Sequence, residues 1–129
     1  MEQEIENKAW QEVKTRNRFS HAFHGLYIFY KTTRNLKIHL SIAALVVFFG
    51  FYFSVSEYEW LALILSIIFV LCAEAFNTAF EIDIDLTSPE YHPYARDTKD
   101  VAAGAVLIAS LGAVIVGLII FVPKILMIY

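Results

Sequence analysis

The sequence predicts an all-α membrane protein, with an N-terminal amphipathic surface helix followed by three transmembrane helices. Three observations lead there. The 129 residues are 58% hydrophobic and only 18% charged, outside ordinary soluble usage and short enough for one domain over 1–129. Three apolar runs, at 36–55, 60–80 and 101–122, are each about 20 residues long, enough to cross about 30 Å of hydrocarbon as a helix. A stretch before them repeats aromatic residues at helical spacing.

Residues 1–35 read as an arm and a surface helix. The start is charged and has no apolar signal-like segment. From Phe19 onward, Phe19, Ala22, Phe23, Leu26, Tyr27 and Tyr30 fall on one helical stripe, with His21, His24 and Lys31 off it. That is the pattern of a helix lying in the membrane interface. In the first span, His39 reads as a cap on the polar end. An acidic turn with Glu57 and Glu59 leads to the second span, and a polar loop after it leads to Lys99 and Asp100. Pro123 and Lys124 mark the exit of the third span. Within that span Ala105, Ala109, Ala113 and Gly117 form a small-residue ladder, which allows close helix approach. The lone Cys72 sits in an apolar run and reads as filler.

Orientation follows from Lys and Arg. Seven of the ten precede the first span or sit at its start, Arg96 and Lys99 lie between the second and third, and Lys124 alone falls on the other side. The N-terminus and the 81–100 region are therefore expected in the cytoplasm.

The chemistry is expected where the second span turns polar. Glu74, Asn77, Thr78, Glu81 and Asp85 share one helical face. Carboxylates inside a membrane segment are costly and mark function by default. Counted from Trp60, Glu74 lies about 21 Å along the helix, just beneath the far surface of the hydrocarbon, and Glu81 is about 10 Å further toward water. The pair suits a reaction between a membrane-dissolved alcohol and a water-soluble phosphoryl donor. Glu74 would take the hydroxyl proton, Glu81 would hold Mg²⁺, and Lys99 would neutralise the transferred phosphoryl group. No Walker-type or dinucleotide glycine loop is present, and no HExxH or cysteine pair for zinc. A polar face this large on three helices argues for a homo-oligomer.

These residues resemble the prokaryotic diacylglycerol kinase family, which includes the undecaprenol kinases. Its signature is matched by Glu74-Ala75-Phe76-Asn77-Thr78-Ala79-Phe80-Glu81-Ile82-Asp83-Ile84-Asp85 at every polar position, with Phe76 and Phe80 in place of aliphatic residues. Glu90-Tyr91-His92, Lys99-Asp100, the following Val101 to Leu107, Gly25 and the Arg34 to His39 segment extend the likeness over most of the chain. The resemblance implies a homotrimeric lipid kinase of the bacterial cytoplasmic membrane that uses ATP and Mg²⁺. It implies Glu74 as general base, with Asn77 and Lys99 catalytic. It implies nucleotide contacts from Glu81, Asp85, Glu90, Tyr91, His92, Lys99, Asp100 and His21, and metal ligation by Glu81. One of Lys14, Arg16 and Arg18 would supply an N-terminal arginine-like contact. A second metal-binding Glu of the family is replaced here by Thr33, a weaker ligand, which opens the possibility of a weakened kinase. The acceptor is diacylglycerol or undecaprenol, with the Ala-Ala-Gly-Ala start of the third helix leaning to undecaprenol.

Two readings of another class compete. A small ion-conducting or proton-coupled oligomer would need polar residues through the full depth of a span, yet 60–73 offers only Ser66 and Cys72. A purely structural subunit leaves Glu90-Tyr91-His92 and Lys99-Asp100 without a task.

Overall fold

The computed structural model describes residues 1–15 and 17–127, and Arg16 lies outside them. The described residues form five helices: α1 (Glu2–Thr15), α2 (Arg18–Thr32), α3 (Leu36–Tyr52), α4 (Glu57–Thr87) and α5 (Pro93–Leu126). They group into two compact units, Met1–Thr32 and the chain from Thr33 onward.

In the first unit, α1 carries Glu2 and Glu4 in its first turn and Lys14 in its last, the arrangement that complements the helix dipole. Asn17 starts α2 by accepting the Phe19 N–H on its side-chain oxygen, 3.3 Å away. The aromatic stripe of α2 is exposed at Phe19, Phe23, Leu26, Tyr27 and Tyr30. The Lys31 ammonium lies 6.0 Å from the Tyr27 ring centroid.

In the second unit, α3 has 17 residues, about 26 Å. It ends three residues before the expected 55. The Val55 N–H closes on the Gly50 carbonyl, and Ser54 takes a left-handed φ of 49°, which turns the chain. A capping box then starts α4. Ser56 Oγ accepts from the Glu59 N–H and Glu59 Oε2 accepts from the Ser56 N–H, so the helix begins before Trp60 and absorbs the acidic turn. The α4 and α5 helices meet the length and apolarity needed to cross a membrane, and α2 with α3 form a third candidate if taken as one broken span.

Two expected boundaries move in α5. Pro93 stands at the first helical position with His92 as N-cap, its Nδ1 accepting the Tyr94 N–H at 3.2 Å. Helix therefore begins eight residues before the expected 101, and Lys99 and Asp100 sit on helix rather than at the end of a loop. At the other end the helix runs through Pro123 to Leu126. The missing N–H falls in the last turns, and Lys124 grips Glu59 at 3.0 Å.

Helices α4 and α5 run antiparallel, tied by Glu59–Lys124 at one end and Asp85–Lys99 at the other. Along α4 these ties are about 39 Å apart. Val55, Leu63 and Ile120 form an apolar core near the first tie, flanked by Trp60 and Phe121. The covered stripe of α5 passes through Ala102, Val106, Ala109, Ala113, Val116 and Ile120. Of the expected ladder only Ala109 is buried. A strict i, i+4 ladder drifts round the helix, whereas alternating steps of three and four keep facing one neighbour.

Candidate active site

The covered stripe of α4 has the same period: Leu63, Ile67, Val70, Glu74, Asn77 and Thr78. Its outer positions are apolar, and from Glu74 the same stripe becomes polar. Glu74 is 3% exposed and Thr78 6%, Asn77 is half-buried, and Glu81 and Asp85 are exposed. One helical face thus grades from a buried carboxylate to solvated ones. Outward of Glu74 it is closed by Val70 and Leu63, which leaves no polar path along it.

Each polar group has a definite neighbour. Glu74 Oε2 lies 3.8 Å from His39 Nε2 of α3. The Thr33 and Thr78 hydroxyls share a buried hydrogen bond of 2.8 Å. Asn77 Nδ2 donates to Glu81 Oε1 at 3.3 Å, and the Asn77 carbonyl oxygen is buried with no partner among the described residues. Such an orphan acceptor is uncommon and calls for a donor from outside the described residues.

Beyond Glu81 the turn between α4 and α5 encloses a second locus. A cleft of about 260 Å³ is bordered by Asp85, Glu90, Tyr91, His92, Arg96, Lys99 and Asp100, with Ser88 and Pro89 in its wall. Lys99 pairs with Asp85 across the two helices, and Arg96 Nε reaches Asp100 Oδ2 at 3.5 Å one turn along α5. The sequence separates Asp85 from Asp100 by a turn and two helix ends. The antiparallel α4–α5 pairing brings them to one rim. Three carboxylates and two cations on that rim suit a polyanion carrying a divalent cation better than a bare anion.

Among the described residues no three His, Cys, Asp or Glu side chains converge as a metal cage. That donor set fits Mg²⁺ all the same, because Mg²⁺ keeps waters and takes one or two carboxylates plus substrate phosphate oxygens. Glu81 is exposed and offers such a carboxylate. Thr33 is buried, and its hydroxyl is engaged with Thr78. His21 lies on α2, Lys14 on α1 and Arg18 at the start of α2, all in the first unit, and Arg16 lies outside the described residues.

Two residues gain a place that sequence reasoning did not give them. Arg96 served only as an orientation marker, although its i, i+4 spacing from Asp100 was visible. His39, read as a cap on a span, instead faces Glu74; its one sequence signal was an imidazole inside an apolar run.

Comparison with known proteins agrees with the geometry. Residues 20–121 match the family model for prokaryotic diacylglycerol kinase. The undecaprenol kinase of Bacillus subtilis is 39% identical over 106 residues, covering 82% of this chain and 86% of that protein. A diacylglycerol kinase of Synechocystis sp. is 36% identical over 109 residues, 84% of this chain and 62% of that one. A diacylglycerol kinase of Helicobacter pylori is 40% identical over 50 residues, 39% of each chain. With its apolar spans and a graded carboxylate face inside the matched region, this chain belongs to the prokaryotic diacylglycerol kinase family and is a lipid kinase, a phosphotransferase whose acceptor is an alcohol.

Proposed function

We propose that the enzyme transfers the γ-phosphoryl group of ATP to the hydroxyl of undecaprenol or diacylglycerol at the cytoplasmic face of the bacterial membrane. The observation that carries this is the α4 face, which descends from exposed Glu81 and Asp85 to buried Glu74. A lipid hydroxyl meets Glu74 at the edge of the hydrocarbon, and ATP meets the α4–α5 cleft from the water side. The hydroxyl oxygen attacks the γ-phosphorus, the bond to the ADP oxygen breaks, and the hydroxyl proton passes to the Glu74 carboxylate. Asn77 fixes Glu81 through its amide and helps to position the acceptor beside Glu74. Lys99 leaves Asp85 to offset charge on the moving phosphoryl group. Glu90, Tyr91, His92 and Asp100 contact the nucleotide.

Glu81 would hold Mg²⁺, which supplies charge neutralisation on the phosphates when bound. Thr33 would add only a hydroxyl that Thr78 already shares. The cation is therefore expected to bind more weakly than with two carboxylates, the basis of a weakened kinase.

Three spans, α2 lying in the interface and the N-terminus in the cytoplasm complete the reading, with three copies assembled as a homotrimer. The basic residues support the orientation. The exposed apolar side chains along α3, α4 and α5 supply surface for lipid and for neighbouring copies. The match takes in 86% of the undecaprenol kinase relative against 62% and 39% of the two diacylglycerol kinases, which favours undecaprenol. The test is phosphorylation of each lipid alcohol by purified protein with ATP and Mg²⁺. The wild type is expected to turn over one or both, and Glu74→Gln is expected to lose about 100-fold or more while remaining folded. Full turnover by Glu74→Gln removes the proposed base.

A further inference from the structure

We propose that His39 is a positioning residue for the base, fixing which carboxylate oxygen of Glu74 receives the acceptor's proton; this rests on the reading of Glu74 given above. Glu74 is 3% exposed, and among the described residues His39 is the one basic side chain within ion-pair reach of it. A carboxylate buried without a partner is costly by several kcal/mol, so the nearest basic side chain is the one placed to orient it. The 3.8 Å between His39 Nε2 and Glu74 Oε2 is longer than a hydrogen bond and too short to admit a water between them. The one approach of the imidazole within ion-pair reach is therefore to Oε2, a distance that a small shift would close to a hydrogen bond.

The backbone that carries the imidazole is itself held. Thr33 precedes α3, and its hydrogen bond to Thr78 lies one turn along α4 from Glu74. The Asn35 carbonyl accepts the His39 backbone N–H at 3.2 Å in the first turn of α3. Two side-chain pairs, Thr33–Thr78 and His39–Glu74, thus clamp the start of α3 onto the polar segment of α4. The other side of His39 borders a cavity of about 320 Å³ lined by Ile42, Val46, Val70 and Leu71 among others, and no second titratable side chain lines it. Glu74 is the one ionisable group facing the ring from α4, and α5 contributes Ser110 and apolar residues to that wall. Beyond Glu74 the ring meets no charged group there, only the Ser66 and Ser110 hydroxyls among apolar side chains.

The test compares His39→Gln with His39→Asn in the full-length enzyme reconstituted in lipid. A glutamine amide nitrogen reaches where Nε2 stands, and an asparagine amide reaches only as far as Nδ1. The two variants differ by one methylene and share their polarity. His39→Gln is expected to keep kcat within about threefold, and His39→Asn to lose roughly tenfold or more, with KM for ATP and for the lipid alcohol unchanged within about twofold. In a Glu74→Asp background, where the carboxylate is already withdrawn, His39→Asn is expected to add less than about a twofold loss, because coupled residues are not additive. Equal losses from Gln and Asn, no loss from either, or the same fold-loss in both backgrounds would overturn the proposal and reduce His39 to packing. Full activity of Glu74→Gln, measured alongside, would overturn the base reading instead, so the two failures are separable.

Discussion

At the scale of single residues, burial and carboxylate character coincide at Glu74, which is why we propose it as the base. Its place on the polar face of α4 was legible in the sequence, since helical spacing fixes it. Its partner was not. Helical spacing reports neighbours on one helix, and His39 comes from another with 34 residues between. The Thr33 hydroxyl was likewise visible as a departure from the family pattern, while its bond to Thr78 needed the α3–α4 contact. Thr33→Val leaves the buried Thr78 hydroxyl to fall back on its own helix, so a loss of about 1 kcal/mol is expected in thermal unfolding in detergent. Glu81→Gln is expected to raise the Mg²⁺ concentration for half-maximal activity by about tenfold or more, read from a cation titration at saturating ATP. An unchanged titration curve would remove Glu81 from the cation site.

At the scale of elements, apolar periodicity placed α3, α4 and α5 and the stripe on α2, but several ends shifted. The polar ends of α4 and α5 extend past the hydrophobic runs, where capping rather than hydropathy sets the limit. Ser56 with Glu59 starts one helix, and His92 with Pro93 starts the other. For the same reason Lys99 and Asp100 belong to a helix, which gives the cleft a rigid wall. Packing of α3 on α4 depends on Gly50, where an added Cβ would stand 2.5 Å from the Trp60 ring. Gly50→Ala forces that ring away from Phe51, and a destabilisation of about 1–3 kcal/mol is expected. Trp60→Phe in the same chain should recover most of it in a thermal melt, whereas an additive loss would mean the contact is not the cause.

At the scale of the whole molecule, the apolar surface left exposed on the spans is larger than a single small domain ordinarily shows to solvent. Lipid and neighbouring copies are its natural cover. Cross-linking in native membranes is expected to stop at three copies, and a ladder ending at one or two would rule out the trimer. The number of copies was not readable from apolar spacing, because a lipid-facing side chain and a copy-facing one have the same composition.

The two charged ties between α4 and α5 carry a consequence for the host bilayer. Glu59–Lys124 and Asp85–Lys99 stand about 39 Å apart, close to the span from headgroup to headgroup of an ordinary membrane. The hairpin is in effect a caliper whose jaws must rest in water. A thick, long-chained membrane drags one jaw into oil, and a thin one leaves bare apolar helix outside. Turnover in vesicles of graded acyl length should therefore peak at intermediate chains and fall on both sides, and Glu59→Gln with Lys124→Met should blunt the fall toward thicker membranes.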